Sequence, residues 1–351
     1  MNPSFKTLVI RFSSIGDIVL SSPLLRVLRA KFSEGQIDFV TRKEYAELVR
    51  NNHNINLTYE FDASTGFDGL RALKKRIKGE RYDLVVDIHD SLRSKYLRSI
   101  LGVKEIAVIK KRVVERSMLV QLKKNIYKDH LPVPDRYIEP LKKFGIENDG
   151  KGLELPIPDE VLFRVSGKIA ALRLNRFERT IGLCPGARHG TKRWPRERFA
   201  ELAIRYVREF DAKVLVFGGE EEREICSFIA DSVLKETGKE RANDFSGELS
   251  LLETAAALEF CDIVVTNDTG LMHIATAMRR KVVAIFGSTV REFGFFPYAP
   301  GATVIEQEGL ACRPCSHIGL PSCPEGHFRC MNESTVEQVY QGVLNQVHRS
   351  D

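Results

Sequence analysis

Short apolar runs rich in β-branched residues alternate with longer amphipathic segments along this chain, and the whole alternation occurs twice. This pattern is typical of βαβ units, in which helices cover parallel strands. In the first half the apolar runs are TLVIRF (7–12), IDFVT (37–41), YDLVVDI (82–88) and EIAVI (105–109). After the extended stretch GLELPIPDE (152–160), the runs are TIGLCPG (180–186), AKVLVFGG (212–219), DIVVTND (262–268) and KVVAIFGS (281–288).

The two sets predict an α/β fold with two Rossmann-like parallel-sheet domains of similar size. We expect the first domain over residues 1–160 and the second over residues 175–332. Open α/β sheets bind ligands at the carboxyl ends of their strands, so we expect both edges to face a shared cleft. The last helical stretch, within residues 333–351, is expected to pack back on the first domain.

The composition indicates a soluble globular protein with an uneven charge. Of the 351 residues 43% are apolar and 28% charged, and neither a membrane-spanning run nor a signal peptide is recognisable. We therefore expect a cytoplasmic protein. The net charge of +6 comes from the first half of the chain, which favours an anionic partner there: nucleic acid, an acidic membrane surface or an anionic small molecule. Solvated surface charges are the alternative.

The segment TNDTGLMHIATAM (266–278) follows an apolar run and opens a helix. Backbone N–H groups and the positive end of a helix dipole at such a turn favour a phosphate group. Asp268, Thr269, Gly270 and His273 are therefore predicted residues of a phosphate site, because Gly270 permits close approach of the backbone and His273 lies one turn further on. A simple helix cap at Asp268 or Thr269 is the alternative.

Two further glycine-containing loops also follow apolar runs. In PGARHGTKRWP (185–195), Arg188 and Lys192 offer a planar fork and a compact charge suited to a diphosphate. In FGGEEERE (217–224), Glu220 is a candidate acceptor for sugar hydroxyls, although acids at a helix start look the same. Motifs of ATP-binding phosphate loops, of NAD-binding Rossmann turns and of hydrolase nucleophile elbows do not occur, which argues against those classes.

The turn RFSSIGDIVLSSP (11–23) carries a single acid, Asp17, after the first strand. Helix capping alone would explain a carboxylate at this position. If the phosphate-seeking loops of the second domain face the same cleft, however, Asp17 is also placed to act on a substrate. Ser13, Ser14 and Gly16 accompany it as predicted substrate-binding residues, because a small Gly16 leaves room for a sugar beside the acid.

Four cysteines form the spacing C-x2-C-x7-C-x6-C near the end of the chain. Tetrahedral zinc binding is one interpretation, although the second pair is spaced more widely than in a zinc ribbon. Reduced thiols that pack a loop are the interpretation we favour, and a cytoplasmic setting disfavours disulfides. The residues are Cys312, Cys315, Cys323 and Cys330.

Four parts of the sequence together resemble the heptosyltransferases that build the inner core of lipopolysaccharide. They are the turn at 11–23, the loop at 185–195, the segment at 266–278 and the CRPC…CPEGHFRC tail. The tail and the sequence PGA-x-x-G-x-KRWP are more similar to the second heptosyltransferase than to the first. The resemblance implies the GT-B glycosyltransferase fold, with the acceptor bound by the first domain and the donor by the second. It also implies ADP-L-glycero-D-manno-heptose as donor, and an anionic, lipid-anchored core acceptor that brings the enzyme to the inner membrane surface.

The resemblance further implies roles for single residues. Asp17 matches the general base of a single inverting displacement. Lys192 matches the lysine on the donor phosphates, Glu220 the acid near the donor's ribose or sugar, and the residues from Asp268 to His273 the donor loop. No metal cofactor is implied, so Lys192, Arg188 and the helix start at 268–270 are expected to neutralise the leaving diphosphate.

The chain departs from the family pattern at two places. Ala187 and Arg188 stand where the first heptosyltransferase has hydroxyl residues, and Asp90 stands where an acceptor-side loop usually has glycine. Two rival functions remain open: a nucleotide-sugar epimerase or hydrolase on the same scaffold, and a nucleic-acid-binding module. The second is disfavoured because aromatic residues are not interleaved with the basic ones.

Overall fold

The computed structural model describes residues 5–99, 102–238 and 240–349. The chain divides into two compact units. One comprises the chain up to Arg112 together with Leu131–Pro156, and the other comprises Val113–His130 and the chain from Ile157 onward. The boundary at Pro156 lies in the stretch predicted to be extended, and residues 151–158 have no regular secondary structure. The segment 113–130, predicted within the first domain, is grouped with the second unit.

The first unit contains a five-stranded sheet in which every strand pair is parallel. Its strands are β1 (Lys6–Ile10), β2 (Gln36–Arg42), β3 (Leu57–Phe61), β4 (Leu84–Asp87) and β5 (Glu105–Val108). The order β3-β2-β1-β4-β5 reverses between β1 and β4. Ile10 pairs with Asp87, so both strands end at the same level and the loops that follow them meet at this switch point.

The second unit contains a six-stranded sheet, again with parallel pairs throughout. Its strands are β6 (Arg179–Cys184), β7 (Ala212–Val216), β8 (Ala242–Asp244), β9 (Ile263–Asn267), β10 (Lys281–Phe286) and β11 (Thr303–Glu306). The order β11-β10-β9-β6-β7-β8 reverses between β6 and β9. Cys184 pairs with Thr266, so the loops after these two strands also meet at a switch point.

Helices connect the strands in both units. The α-helices are α1 (Ile15–Val19), α2 (Ser22–Lys31), α3 (Glu47–Arg50), α4 (Gly66–Gly79), α5 (Leu92–Arg98), α6 (Val113–Leu122), α7 (Val133–Ile138), α8 (Asp159–Ala170), α9 (Arg196–Phe210), α10 (Arg223–Thr237), α11 (Leu251–Leu258), α12 (Gly270–Ala277), α13 (Arg329–Asn332) and α14 (Val336–Val347). Short 3-10 helices span Lys43–Tyr45, Ala63–Thr65, Glu139–Phe144, Leu174–Arg176, Gly190–Lys192, Glu220–Glu222 and Arg291–Phe293.

The amphipathic spacing of the helices explains how the sheets are covered. In α4, Leu70, Leu73 and Ile77 recur at intervals of three and four residues and join the core of the first sheet. Strands β1 and β9 are buried throughout or nearly so, which is why each reads as a continuous apolar run. The two-domain α/β fold predicted from the sequence is therefore confirmed.

The strands missed by the sequence pattern are β3, β8 and β11. Each lies at an edge of its sheet. Edge strands are covered less completely, and β11 is only half-buried along its whole length. Their sequences therefore lack the apolar run that marks a central strand.

Helix α14 packs against the second sheet. Val339, Tyr340 and Val343 are fully buried in the core of the second unit, and the helix contacts α9 and the strands β9, β10 and β11. This placement differs from the expected return to the first domain. The physical reason is that α14 presents its apolar stripe to the half of the sheet formed by β9 to β11, which needs a helical cover.

In the part of the chain that the structure describes, no helix combines the length and the apolar character needed to cross a membrane.

Candidate active-site residues in the two units

The turn between β1 and α1 holds Asp17 at the switch point of the first sheet. Ser14 is the N-cap of α1, and Asp17 lies in its first turn. The Ser14 backbone N–H and hydroxyl donate to Asp17 Oδ2 at 3.2 and 2.8 Å. Asp17 therefore does cap the helix start, which was the simpler interpretation of the sequence. The same bonds fix the carboxylate at the carboxyl edge of the sheet.

Arg11 holds this turn from the other side. Its guanidinium lies 2.6 Å from Asp17 Oδ1 and donates to the carbonyls of Ser13 and Ile88, both at 2.6 Å. Because Ile88 follows β4, Arg11 joins the two loops of the switch point. Tyr137, on α7, donates its hydroxyl to Asp17 Oδ1 at 3.0 Å. Neither Arg11 nor Tyr137 was singled out from the sequence, since Tyr137 is 120 residues away from Asp17 along the chain.

These contacts set the ionisation of Asp17. Burial raises the pKa of the carboxyl, but the Arg11 guanidinium and the hydrogen bonds from Ser14 and Tyr137 outweigh burial and lower the pKa below its ordinary value. Asp17 is therefore ionised at neutral pH. Its side chain is 14% exposed, so the carboxylate is close to the surface of the unit but not open to it.

The loop after β4 forms the other side of this switch point. Asp87 is fully buried and accepts from the backbone N–H groups of His89 and Asp90 and from Arg98. Asp90 has a positive φ of 45°, a conformation that glycine adopts more easily. The pKa of His89 falls to about 4 because of burial and the nearby Arg11 charge, so His89 is neutral at physiological pH.

Of the remaining residues predicted in this turn, Gly16 is buried within α1, and Ser13 supplies a carbonyl to Arg11. Ser14 is exposed. The structure therefore brings all four predicted residues of the first unit together in a single turn.

In the second unit, the loops after β6 and β9 meet at the switch point. Lys192 Nζ lies 2.7 Å from Asp268 Oδ2, and Thr289 donates its hydroxyl to the same oxygen at 2.6 Å. Asn267 holds the two loops together, since its amide donates to the Pro185 carbonyl at 2.7 Å and accepts from the Trp194 N–H at 3.1 Å. A cation and an anion thus lie at the switch point of this sheet.

The rest of the 185–195 loop adds positive charge around Lys192. Arg188 is exposed, and Arg193 is anchored by donating to the Ala187 carbonyl at 2.6 Å. Burial, together with the Lys192 and Arg188 charges, lowers the pKa of His189. The loop therefore carries the basic side chains of Arg188, Lys192 and Arg193, and their charge disfavours the protonated form of His189.

Helix α12 begins at Gly270 with Thr269 as its N-cap. Asp268 does not cap this helix through its carboxylate, because both of its side-chain contacts described above run to Lys192 and Thr289. His273 is only 3% exposed, and its ring centroid lies 6.5 Å from that of Phe295. His273 is therefore buried one turn into α12, beside Phe295.

Glu220 and Glu222 differ in direction within one short 3-10 helix. Glu220 is 71% exposed and forms an ion pair with Arg223. Glu222 instead folds back on the start of its own 3-10 helix, where its carboxylate accepts from the N–H of the N-cap residue Gly219 at 2.8 Å. A Cβ atom on Gly186 would lie 2.4 Å from Glu222 Cγ, so Glu222 is packed against the 185–195 loop. The acid next to the 185–195 loop is thus Glu222, which the sequence pattern alone did not distinguish from its neighbours.

The four cysteines near the end of the chain line one small cavity together with His327 and Phe328. All seven cysteines of the chain are free. Within residues 5–99, 102–238 and 240–349, no group of three or more potential ligands is arranged to hold a metal ion.

The model of glycosyltransferase family 9, described as heptosyltransferase, matches residues 70–323. The chain belongs to this family. The family 9 enzyme is 28% identical over 331 residues to lipooligosaccharide heptosyltransferase 2 of Campylobacter jejuni, covering 94% of this chain and 95% of the relative.

Two solved structures share the fold of this family 9 enzyme. A family 9 glycosyltransferase from Veillonella parvula superposes with a TM-score of 0.81 at 22% identity, covering 100% of this chain and 99% of its own. The Escherichia coli ADP-heptose lps heptosyltransferase II superposes with a TM-score of 0.74 at 22% identity, with 98% of both chains covered. The resemblance noted in the sequence is therefore confirmed at the level of family and of fold.

Proposed function

We propose that this enzyme transfers a heptose from ADP-L-glycero-D-manno-heptose to the anionic inner core of lipopolysaccharide, with inversion at the anomeric carbon. The family description supports heptosyl transfer. The Campylobacter relative is named for lipooligosaccharide, and the Escherichia coli heptosyltransferase II is named for ADP-heptose. In the reaction the acceptor oxygen attacks the anomeric carbon, its proton passes to Asp17, and the bond between that carbon and ADP breaks.

The observation that carries the proposal is the fixed, ionised carboxylate of Asp17 at the switch point of the first sheet. An open parallel sheet binds its ligand at this place. A general base must also be deprotonated before the reaction, and the Arg11 ion pair keeps Asp17 in that form.

On the donor side, Lys192 is the proposed partner of the diphosphate. It is paired with Asp268 at 2.7 Å in the structure, so a diphosphate would share the ammonium group with that carboxylate. Arg188, Thr269 and the N–H groups at the start of α12 complete the proposed anion site. These groups would neutralise the leaving ADP, and we propose that transfer needs no metal ion.

We propose that Glu222, rather than the predicted Glu220, lies near the donor's ribose or sugar. A carboxylate is a good acceptor for vicinal hydroxyl groups, and Glu222 lies against the 185–195 loop, whereas Glu220 is held outside by Arg223. We also propose that the basic first half of the chain binds a lipid-anchored acceptor, which brings the enzyme into peripheral contact with the inner membrane surface.

The test uses purified protein, ADP-heptose and truncated lipopolysaccharide cores that end at successive sugars. Mass analysis of the product identifies the acceptor, and ADP release is followed with and without chelator. We expect rapid ADP release only when acceptor is present. Rapid release with donor alone would instead support a hydrolase, and a changed sugar without release would support an epimerase.

The role of Asp17 is tested with Asp17→Ala and the matched control Asp62→Ala, since Asp62 caps a surface turn of the same unit. We expect Asp17→Ala to lower transfer by about 100-fold or more while ADP-heptose binding stays nearly unchanged. Transfer within a few-fold of the parent enzyme would show that Asp17 is not the base.

A further inference from the structure

All acceptor positions of the Asp17 carboxylate are occupied by donors of the first unit. A carboxylate offers about four lone-pair sites on its two oxygens. Oδ1 faces the Arg11 guanidinium at 2.6 Å and the Tyr137 hydroxyl at 3.0 Å. Oδ2 accepts from the Ser14 N–H and the Ser14 hydroxyl at 3.2 and 2.8 Å. An acceptor sugar therefore cannot reach the base directly without displacing one of these donors.

The donors around Asp17 differ in how firmly they are held. Arg11 is anchored by the carbonyls of Ser13 and Ile88, and Tyr137 is 1% exposed. The Ser14 N–H is part of the backbone at the start of α1. The Ser14 hydroxyl, by contrast, belongs to an exposed residue and is attached through a single rotatable bond. It is the donor that a substrate in solution can meet first.

We infer that Ser14 is a catalytic residue that relays the proton from the acceptor hydroxyl to Asp17. As the acceptor oxygen attacks the anomeric carbon, its proton moves to Ser14 Oγ and the Ser14 proton moves to Asp17 Oδ2. The bond between the anomeric carbon and the diphosphate oxygen breaks, and the electron pair leaves with ADP. This inference rests on the proposed function, because it assumes that Asp17 is the final base.

The geometry suits a relay. A serine hydroxyl has one proton to donate and two lone pairs to accept with, and Ser14 already directs its proton to Asp17 Oδ2. Its lone pairs are consequently available to an incoming hydroxyl. The relay also leaves the Arg11 and Tyr137 contacts intact, so the base is not exposed to water when substrate binds.

The experiment compares Ser14→Ala, which removes the relay, with Ser14→Thr, which keeps a hydroxyl and adds a methyl group at an exposed position. With saturating donor and acceptor, we expect Ser14→Ala to lower kcat by about 30-fold or more and Ser14→Thr to stay within about fivefold of the parent. Direct transfer to Asp17 predicts the opposite for alanine, since removing the hydroxyl would vacate an acceptor site and leave kcat unchanged or higher.

A second measurement separates the relay from helix capping, which both variants could disturb. The rate is recorded across mixtures of H₂O and D₂O. A relay moves two protons in one step, so the parent enzyme should give a curved dependence on deuterium fraction and Ser14→Ala a linear one. A linear dependence in the parent, or an equal loss in the alanine and threonine variants, would overturn the relay.

Failure of the relay and failure of the proposed base give different results. If Asp17→Ala is inactive and Ser14→Ala keeps kcat within about threefold of the parent, Asp17 takes the proton directly and only the relay is wrong. If Asp17→Ala keeps its activity, the proposed base itself is wrong.

Discussion

Asp17 shows how one side chain can serve both the fold and the proposed chemistry. It accepts a hydrogen bond from Ser14, the N-cap of α1, and Arg11 and Tyr137 keep it ionised. The same hydrogen bonds that stabilise the turn lower the pKa of the carboxyl, and a lower pKa makes a weaker base. Arg11 is therefore a positioning residue whose charge sets how Asp17 ionises.

The charge of Arg11 is tested with Arg11→Gln. Removing the guanidinium takes away the strongest force that lowers the pKa of Asp17, so the pKa rises towards its ordinary value or above it. Since the ionised form is required, the acidic limb of the pH profile of kcat/KM should move to higher pH, and activity should fall most at low pH. The profile is measured from ADP release at saturating acceptor.

The matched control for this experiment is Arg42→Gln. Arg42 lies in the same unit and pairs with Glu44 at 2.8 Å on the surface, so its loss should leave the profile unchanged. If the acidic limb of the pH profile does not move in Arg11→Gln, the Arg11 charge does not set the pKa of Asp17.

At the scale of elements, the loops that follow β6, β7 and β9 form one connected group. Asn267 joins the ends of β6 and β9, and the glycines after β6 and β7 make room for Glu222. A loop needs glycine here because backbone and a carboxylate approach more closely than a Cβ atom allows. The glycines of these loops thus make room for the Glu222 side chain, whereas the sequence pattern indicated only that the backbone there approaches another group closely.

Gly186→Ala tests this arrangement. The new methyl group would lie 2.4 Å from Glu222 Cγ and 2.8 Å from its Cδ, so Glu222 must move away from the loop. If Glu222 contacts the donor, the Kd for ADP should rise by about tenfold, which corresponds to the loss of about one good hydrogen bond. Isothermal titration with ADP measures the change.

Gly167→Ala is the control for the glycine substitution. Gly167 lies in α8, and a Cβ atom there meets nothing within 4 Å. Alanine should leave ADP binding unchanged and stabilise the helix by up to about 1 kcal/mol. Unchanged ADP binding in Gly186→Ala would argue that Glu222 has no part in the donor site.

At the scale of the whole molecule, the chain forms two compact units, and the second contains one segment that is separated in sequence from its main part. Residues 113–130 are grouped with it, and Lys123 donates to the carbonyls of Cys312 and Pro314 at 3.1 and 2.7 Å. Helix α14 covers the half of its sheet formed by β9 to β11. The stability of the second unit therefore depends on α14.

Tyr340→Ala tests this dependence. Tyr340 is fully buried, and the Arg205 guanidinium lies 3.7 Å from the centre of its ring. Removing the ring should destabilise the second unit by about 3–5 kcal/mol. Thermal unfolding should show a lower transition temperature for this unit than in the parent protein.

Phe163→Ala is the matched aromatic control. Phe163 lies in α8 of the same unit with 84% of its surface exposed, so its removal should change the free energy of unfolding by no more than about 0.5 kcal/mol. A small effect of Tyr340→Ala, similar to this control, would show that α14 adds little to the second unit.

The sequence by itself determined the two parallel sheets, their central strands and the loops that carry Asp17, Lys192 and Asp268. Central strands of a parallel sheet are buried on both faces and therefore read as continuous apolar runs. The residues that follow them are then assigned to the carboxyl edge by chain direction alone.

The tertiary structure decided the rest. Edge strands such as β11 are half-buried and lack a clear pattern. The partners of Asp17 could not be read from the sequence, because Tyr137 lies 120 residues away and reaches it only through packing. Likewise, neighbouring glutamates have the same local preferences, so only the folded backbone decides that Glu222 packs against the 185–195 loop while Glu220 pairs with Arg223.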